Sequence, residues 1–157
     1  MKNLILYYSY GGNTKKIAKM IQKKIGGDIA EIKTVKPYTG SYNDVVQQGQ
    51  REVEEGFLPD IQPLEVNIND YDTIVLGSPV WWFTFAPAVH TFLRNSDLSD
   101  KIIYPFATNG GWIGHTFRDF KTACPNSDVK KGINIKFDEH TLKTSEKEIM
   151  QWAESIK

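Results

Sequence analysis

The sequence predicts an α/β domain built around a mostly parallel sheet. Three observations carry that expectation. Strand and helix patterns alternate from one end of the 157 residues to the other, as in chains that cross back over a parallel sheet. The first strand, Leu4 to Tyr8, is an unbroken apolar run, as a strand covered on both faces requires. The first, third and fourth strands each end in a loop marked by glycine or proline, and an open parallel sheet gathers its ligand-binding loops at those strand ends.

Each element follows from its own residues. After the loop Ser9 to Thr14, a helix carries Ile17, Ala18, Met20, Ile21 and Ile25 on one arc. Lys15, Lys16, Lys19 and Lys23 fall on the other arc, which is amphipathic spacing. Gly26-Gly27 ends the helix, and Asp28 to Val35 reads as a second strand. Residues 37–69 form an irregular excursion holding one helix, Tyr42 to Glu55, with a thin stripe at Val45, Gly49 and Val53. Glu52, Glu54 and Glu55 read as its solvated face. The excursion is too short for a core of its own, so residues 1–157 are expected to form one domain.

Tyr71 to Gly77 is the third strand, leading into the loop Ser78 to Trp82. Pro87 then sits in the first turn of a helix that faces Val89, Phe92 and Leu93 inward. Lys101 to Ala107 is the fourth strand and runs into Thr108 to Gly114. A short helix over His115 to Ala123 is stopped by Pro125. Lys131 to Phe137 is the fifth strand. The last helix begins at Ser145, where Ser145 and Glu148 read as a capping box, and it buries Ile149, Trp152, Ala153 and Ile156.

Composition removes several functions. Lys+Arg and Asp+Glu both number 19, so no overall field favours nucleic acid or an anionic membrane. The 40% hydrophobic and 24% charged content is that of a soluble globular protein. No apolar run approaches the ~18 residues of a membrane span, and no leader pattern opens the chain. A cytoplasmic protein with no nucleic-acid and no membrane partner is therefore expected. Cys124, the single cysteine, excludes an internal disulfide and reads as a small apolar filler before Pro125. His90 and His140 lack partners at metal-ligand spacing, so no metal site is expected.

The chemistry gathers in the three loops. In Ser9-Tyr10-Gly11-Gly12-Asn13-Thr14, free N–H groups at a helix start and the positive end of its dipole attract phosphate. Gly11 and Gly12 allow close approach and positive φ, while Ser9, Asn13 and Thr14 supply side-chain donors. The same residues would also suit a plain turn with Asn13 or Thr14 capping the helix. Trp81, Trp82 and Trp112 offer flat faces for stacking, unless two of them plug a core beneath the loops. Thr108, Asn109 and the backbone of Gly110 and Gly111 can bond the edge of a heterocycle. A carbonyl-rich ring system with one terminal phosphate describes flavin mononucleotide, FMN.

Other phosphate chemistries are absent. The chain has neither G-x-x-x-x-G-K-[ST] nor G-x-G-x-x-G. No cysteine nucleophile follows the first strand, and Tyr8 and Ser9 stand where a receiver domain needs acids.

The motifs SYGGNT after strand one, YDTIVLGSPVWW at strand three and PFATNGGWIG at strand four resemble those of the flavodoxin family, in order and spacing, over nearly the whole chain. The resemblance implies a doubly wound sheet of five parallel strands in order 2-1-3-4-5, as the middle of an α/β/α sandwich. It implies that Ser9, Gly11, Asn13 and Thr14, with Tyr10 and Gly12 in the same loop, hold the phosphate. Pro79, Val80, Trp81 and Trp82, with Thr108, Asn109, Gly110, Gly111 and Trp112, would enclose the isoalloxazine. The function implied is electron transfer through a non-covalently bound flavin, to a redox partner protein. The alternatives are an FMN-dependent NAD(P)H:quinone-type reductase acting on a small quinone-like substrate, and a flavin-binding module without turnover. Two departures bear on that choice. Electron carriers of this family are commonly strongly acidic, whereas this chain is neutral. They also commonly place a flipping glycine beside the flavin, and Val80-Trp81-Trp82-Phe83 has none. His115, beside the third loop, reads as a helix-start residue or a contact to the flavin's edge.

Overall fold

A computed structural model describes residues 2–156. Strand β1 (Lys2–Tyr7) lies between β2 (Asp28–Glu31) and β3 (Tyr71–Trp81), parallel to both. The sheet continues through β5 (Ile102–Asn109) to β7 (Ile133–Asp138), again parallel. The five main strands therefore run β2-β1-β3-β5-β7, the order expected.

The strand count differs from five. Two-residue strands β4 (Thr84–Phe85), β6 (Asp128–Val129) and β8 (Thr141–Leu142) join the sheet, and β4 and β8 pair antiparallel with β3 and β7. β6 and β7 both pair with β5, at its two ends, so the fifth strand is one path interrupted at residues 130–132. The second strand is shorter than expected because pairing with β1 stops at Tyr7↔Glu31. Beyond it Thr34 forms an isolated antiparallel bridge with Ile61, flanked by bonds from Val35 to Asp60 and from Gln62 to Lys33.

Alternation along the strands builds two cores. Leu4 and Leu6 of β1 face one side, with Ala88, Val89 and Phe92 of α3 (Pro87–Asn95) and Phe120 of α4 (Thr116–Ala123). Ile5 and Tyr7 face the other, with Ile17, Ala18 and Ile21 of α1 (Asn13–Ile25) and Ile149 of α5 (Glu146–Glu154). A central strand buried on both sides needs no polar residue between Leu4 and Tyr7, which explains its unbroken apolar run. Helix α2 (Tyr42–Glu55) begins at a capping box formed by Ser41 and Asp44. At Ser145 the hydroxyl accepts from the N–H of Glu148 and starts α5.

β1 is the point from which the chain departs in both directions across the sheet. The loops after β1 and β3 thus diverge, and a crevice opens at the carboxyl end of the strands.

Candidate functional site

The first loop is shaped by its glycines. Gly11 and Gly12 take φ of 86° and 99°, and Gly12 is the residue that caps α1, with no side-chain cap bond. The expectation of a cap from Asn13 or Thr14 gives way here, because both side chains are engaged elsewhere. Asn13 Nδ2 donates to the Glu139 carbonyl at 2.8 Å. Thr14 Oγ1 lies 2.8 Å from Thr108 Oγ1, in a buried contact. Ser9 Oγ accepts from the N–H of Lys15 at 3.2 Å. Among the described residues no acceptor takes the N–H of Gly11, Gly12, Asn13 or Thr14. A Cβ on Gly12 would meet nothing within 4 Å. The loop is a ring of unspent donors around open space at the positive end of a helix, with no acidic residue in the first turn.

The second loop is a hairpin rather than an open loop. β3 runs on through Pro79 and Val80 to Trp81, turns at Trp82 and Phe83, and returns as β4, with Trp81 paired to Thr84. Trp82 and Phe83 have φ of 51° and 73°, the signs of a two-residue type I′ turn that normally takes Asn or Gly. Two bonds hold this turn from opposite sides. Trp82 Nε1 donates to the Val46 carbonyl of α2 at 2.9 Å, and the His115 N–H donates to the Phe83 carbonyl at 2.8 Å.

The tryptophans divide by role. Trp81 packs edge-on against Tyr8, Tyr10 and Tyr38, with centroids 5.9, 5.9 and 5.0 Å away, so it fills space under the loops. Gly49 is what lets it do so, since a Cβ there would come within 3.2 Å of the Trp81 ring. Trp112 is 69% exposed, and its one ring–ring contact among the described residues is an edge contact with Phe83, at 6.0 Å. Between them Val80, Trp82, Phe83, Asn109, Gly110, Gly111 and Trp112 line an open cleft of about 520 Å³.

The third loop is tied down by Asn109. Its Nδ2 bonds Asn134 Oδ1, and its Oδ1 accepts from the Gly111 N–H at 2.8 Å. Asn109 thus shapes the loop, and what faces the cleft around it is backbone. Pro79 stands opposite Thr108 in the β3–β5 register, so the bases of the second and third loops are fixed to each other. Thr14 fixes the first loop to that same base. All fifteen residues expected at the site therefore lie in three loops joined at one end of the sheet.

Several residues at the site carried no signal in the sequence reading. Phe83 is 46% exposed beside Trp112, and the tandem aromatic run before it could have flagged it. Tyr38 joins the Trp81 cluster, and its hydroxyl donates to Glu52 at 2.5 Å. Glu52 is buried rather than solvated, and it also accepts from Gln48. Burial, then the Glu52 bond and charge, pushes the Tyr38 phenol well above its ordinary range. Burial and Glu52 do the same to Tyr8. Both phenols therefore stay neutral and act as packing and hydrogen-bonding groups. His115 bonds Asp119 of its own helix at 2.5 Å.

A larger cavity of about 600 Å³ lies behind the hairpin, where Phe85, His90, Arg94, His115 and Asp119 meet residues of α2. It contains none of the expected site residues and no ring of free N–H groups. Among the described residues no group of His, Cys, Asp and Glu could hold a metal, and no helix is long and apolar enough to cross a membrane.

The family model for flavodoxin matches residues 2–156, and the chain belongs to the flavodoxin family. A flavodoxin of Haemophilus influenzae is 26% identical over 103 residues, covering 63% of this chain and 45% of that one. Flavodoxin 1 of Escherichia coli is 29% identical over 79 residues, covering 50% of this chain and 31% of its own length. The chain thus spans less than half the length of these curated relatives. Solved structures match more fully. A provisionally assigned flavoprotein from Bacteroides eggerthii has a TM-score of 0.83 and 30% identity, covering 99% of this chain and 97% of its own. A flavoprotein from Lactobacillus acidophilus, solved in complex with FMN, has a TM-score of 0.74 and 28% identity, covering 85% and 91%.

Proposed function

We propose that this member of the flavodoxin family binds one FMN non-covalently and transfers electrons through it to and from a redox partner. The observation that carries this reading is the junction of two complementary sites. A loop of acceptor-free N–H groups, suited to a phosphate, is bonded through Thr14 and Thr108 to the base of an aromatic-walled cleft. The cleft's volume of about 520 Å³ falls in the ordinary range for a small-molecule site. The complex of the Lactobacillus acidophilus relative with FMN supports the same assignment.

The residues present fit the cofactor. Ser9 and the backbone of Gly11 to Thr14 would hold its phosphate, with Tyr10 at the rim. Trp82, Phe83 and Trp112 would flank its ring system, and the backbone of Asn109 to Gly111 would bond its polar edge. Bound FMN supplies the redox chemistry, and the protein supplies position and surroundings. Here that means a turn held through the Trp82 indole and the Phe83 carbonyl, over a floor of clustered aromatics around Trp81.

A second reading is an FMN-dependent reductase of a quinone-like substrate with NAD(P)H. It is favoured by the open aromatic rim of Phe83 and Trp112, a stacking surface for a flat substrate, and by the neutral net charge. A visible absorption titration with FMN tests the shared premise. Tight binding with a shifted flavin spectrum is expected, and no binding at micromolar FMN would remove both readings. Anaerobic mixing of the loaded protein with NAD(P)H then separates them. Rapid bleaching with turnover of a quinone supports the reductase, and slow bleaching with fast exchange to a protein partner supports the carrier.

A further inference from the structure

We propose that His140 is a direct ligand of the FMN phosphate and sets the preference of this chain for FMN over riboflavin. The inference rests on the FMN reading above and extends it to a residue far from the phosphate loop in sequence.

The turn between β7 and β8 carries the residue. Asp138 pairs with Thr141, so Glu139 and His140 form the tip, with Glu139 at a φ of 51°. This tip folds onto the first loop. Asn13 Nδ2 donates to the Glu139 carbonyl, which fixes the amide so that Oδ1 faces away from that carbonyl. His140 Nδ1 stands 3.2 Å from Asn13 Oδ1. Since Oδ1 can only accept, the proton of this bond is on Nδ1. The other ring nitrogen, Nε2, has no protein partner among the described residues. The ring carbon between the two, Cε1, lies 4.0 Å from where a Cβ on Gly11 would stand. The imidazole edge therefore overlies the glycine whose N–H belongs to the anion cradle.

Chemistry completes the assignment. A phosphate monoester carries about 1.5 to 2 negative charges near neutrality. An imidazole that already donates from Nδ1 has Nε2 left for such a group, and an Nε2–H would give it a charge-assisted hydrogen bond. The two elements that meet here carry Lys15 and Lys16 on α1, and Lys136, Asp138, Glu139 and Lys143 on or beside the hairpin. Lys136 is drawn to the third loop, with Nζ 3.6 Å from the Cβ position of Gly111. His140 is the side chain that stands against the Cβ position of Gly11, with no other atom within 4 Å of it among the described residues.

FMN and riboflavin share ring and ribityl chain and differ only in the phosphate, so comparing them isolates this contact. The experiment is a fluorescence-quench titration of flavin-free protein with each ligand, for the wild type, His140→Ala and His140→Gln. Removing the charge-assisted contact should weaken FMN about tenfold in both variants and leave riboflavin unchanged. Unaltered FMN affinity would overturn the proposal, and so would parallel losses for both flavins, which would mean that His140 only supports the loop. If the wild type binds neither flavin, the FMN reading itself falls. If it binds FMN and both variants match it, only the role of His140 falls.

Discussion

Thr14 Oγ1 and Thr108 Oγ1 lie 2.8 Å apart in a buried contact between the start of α1 and the end of β5. This single bond joins the phosphate-type loop to the ring-type cleft. It also removes Thr14 from the set of residues that can be altered without a folding cost. Thr14→Asp would place a carboxylate in a site that is 1% exposed.

The pair makes a first prediction. Thr14→Val should leave the Thr108 hydroxyl buried and unpaired and lower the unfolding free energy by about 1–3 kcal/mol. The double variant Thr14→Val/Thr108→Val should recover part of that loss, because both partners are then apolar. Urea unfolding of the two singles and the double decides it; additive losses would show that the hydroxyls are not coupled.

A second prediction concerns the turn. Phe83 sits at a φ of 73°, in a backbone region that costs an ordinary residue about 1–2 kcal/mol. Glycine removes that strain, and Phe83 is half-exposed, so little packing is lost with the ring. Phe83→Gly should therefore raise stability by up to about 1 kcal/mol while weakening flavin binding. A variant less stable than wild type in thermal unfolding would mean that the ring contact with Trp112 outweighs the strain.

Trp112 supplies the control for His140. Being 69% exposed, it should tolerate Trp112→Ala within about 0.5 kcal/mol of wild-type stability. Its ring would face the flavin rather than the phosphate, so FMN and riboflavin should weaken together. Loss of FMN affinity alone would place Trp112 at the wrong end of the cofactor.

Acid should destabilise the fold through His90. Burial first, and then Arg94, lower its pKa below the ordinary imidazole value, with Asp119 opposing. Between the folded and unfolded values the unfolded chain binds more protons, so stability rises with pH. The contribution is fully present above the unfolded value of about 6.5 and is lost as pH falls through the lower folded value. Stability measured from pH 8 to pH 5 should decline in the lower half, and His90→Gln should flatten that decline. An unchanged slope in the variant would assign the acid sensitivity to other groups.

The legible part of the site was its backbone logic. Alternating elements and loop-marking glycines placed Ser9 to Thr14, Pro79 to Trp82 and Thr108 to Trp112 at one end of the sheet. Local chemistry suffices for that, because Gly11 and Gly12 permit the positive φ that a sharp strand-to-helix turn needs. Side-chain assignments were harder. Trp81 and Trp82 are adjacent and read alike, yet pleat and turn send one under the loops and hold the other by its indole N–H on α2. Glu52 read as solvated because its partner, Tyr38, precedes the helix in an irregular segment.

By itself the sequence determined the α/β class with its mostly parallel sheet and the strand ends that carry the site, since periodicity and loop composition are local properties. The doubly wound order came from the resemblance of its motifs. Only the tertiary structure decided which groups remain free to meet a ligand. Asn13, Thr14 and Asn109 are all donors on paper, but partners at Glu139, Thr108 and Asn134 take their donor groups or bond their hydroxyls. His140 lies 127 positions from Asn13 and meets it only because the β7–β8 turn closes over the first loop. A hydrogen bond between distant segments leaves no period in either one, so chain topology had to reveal it.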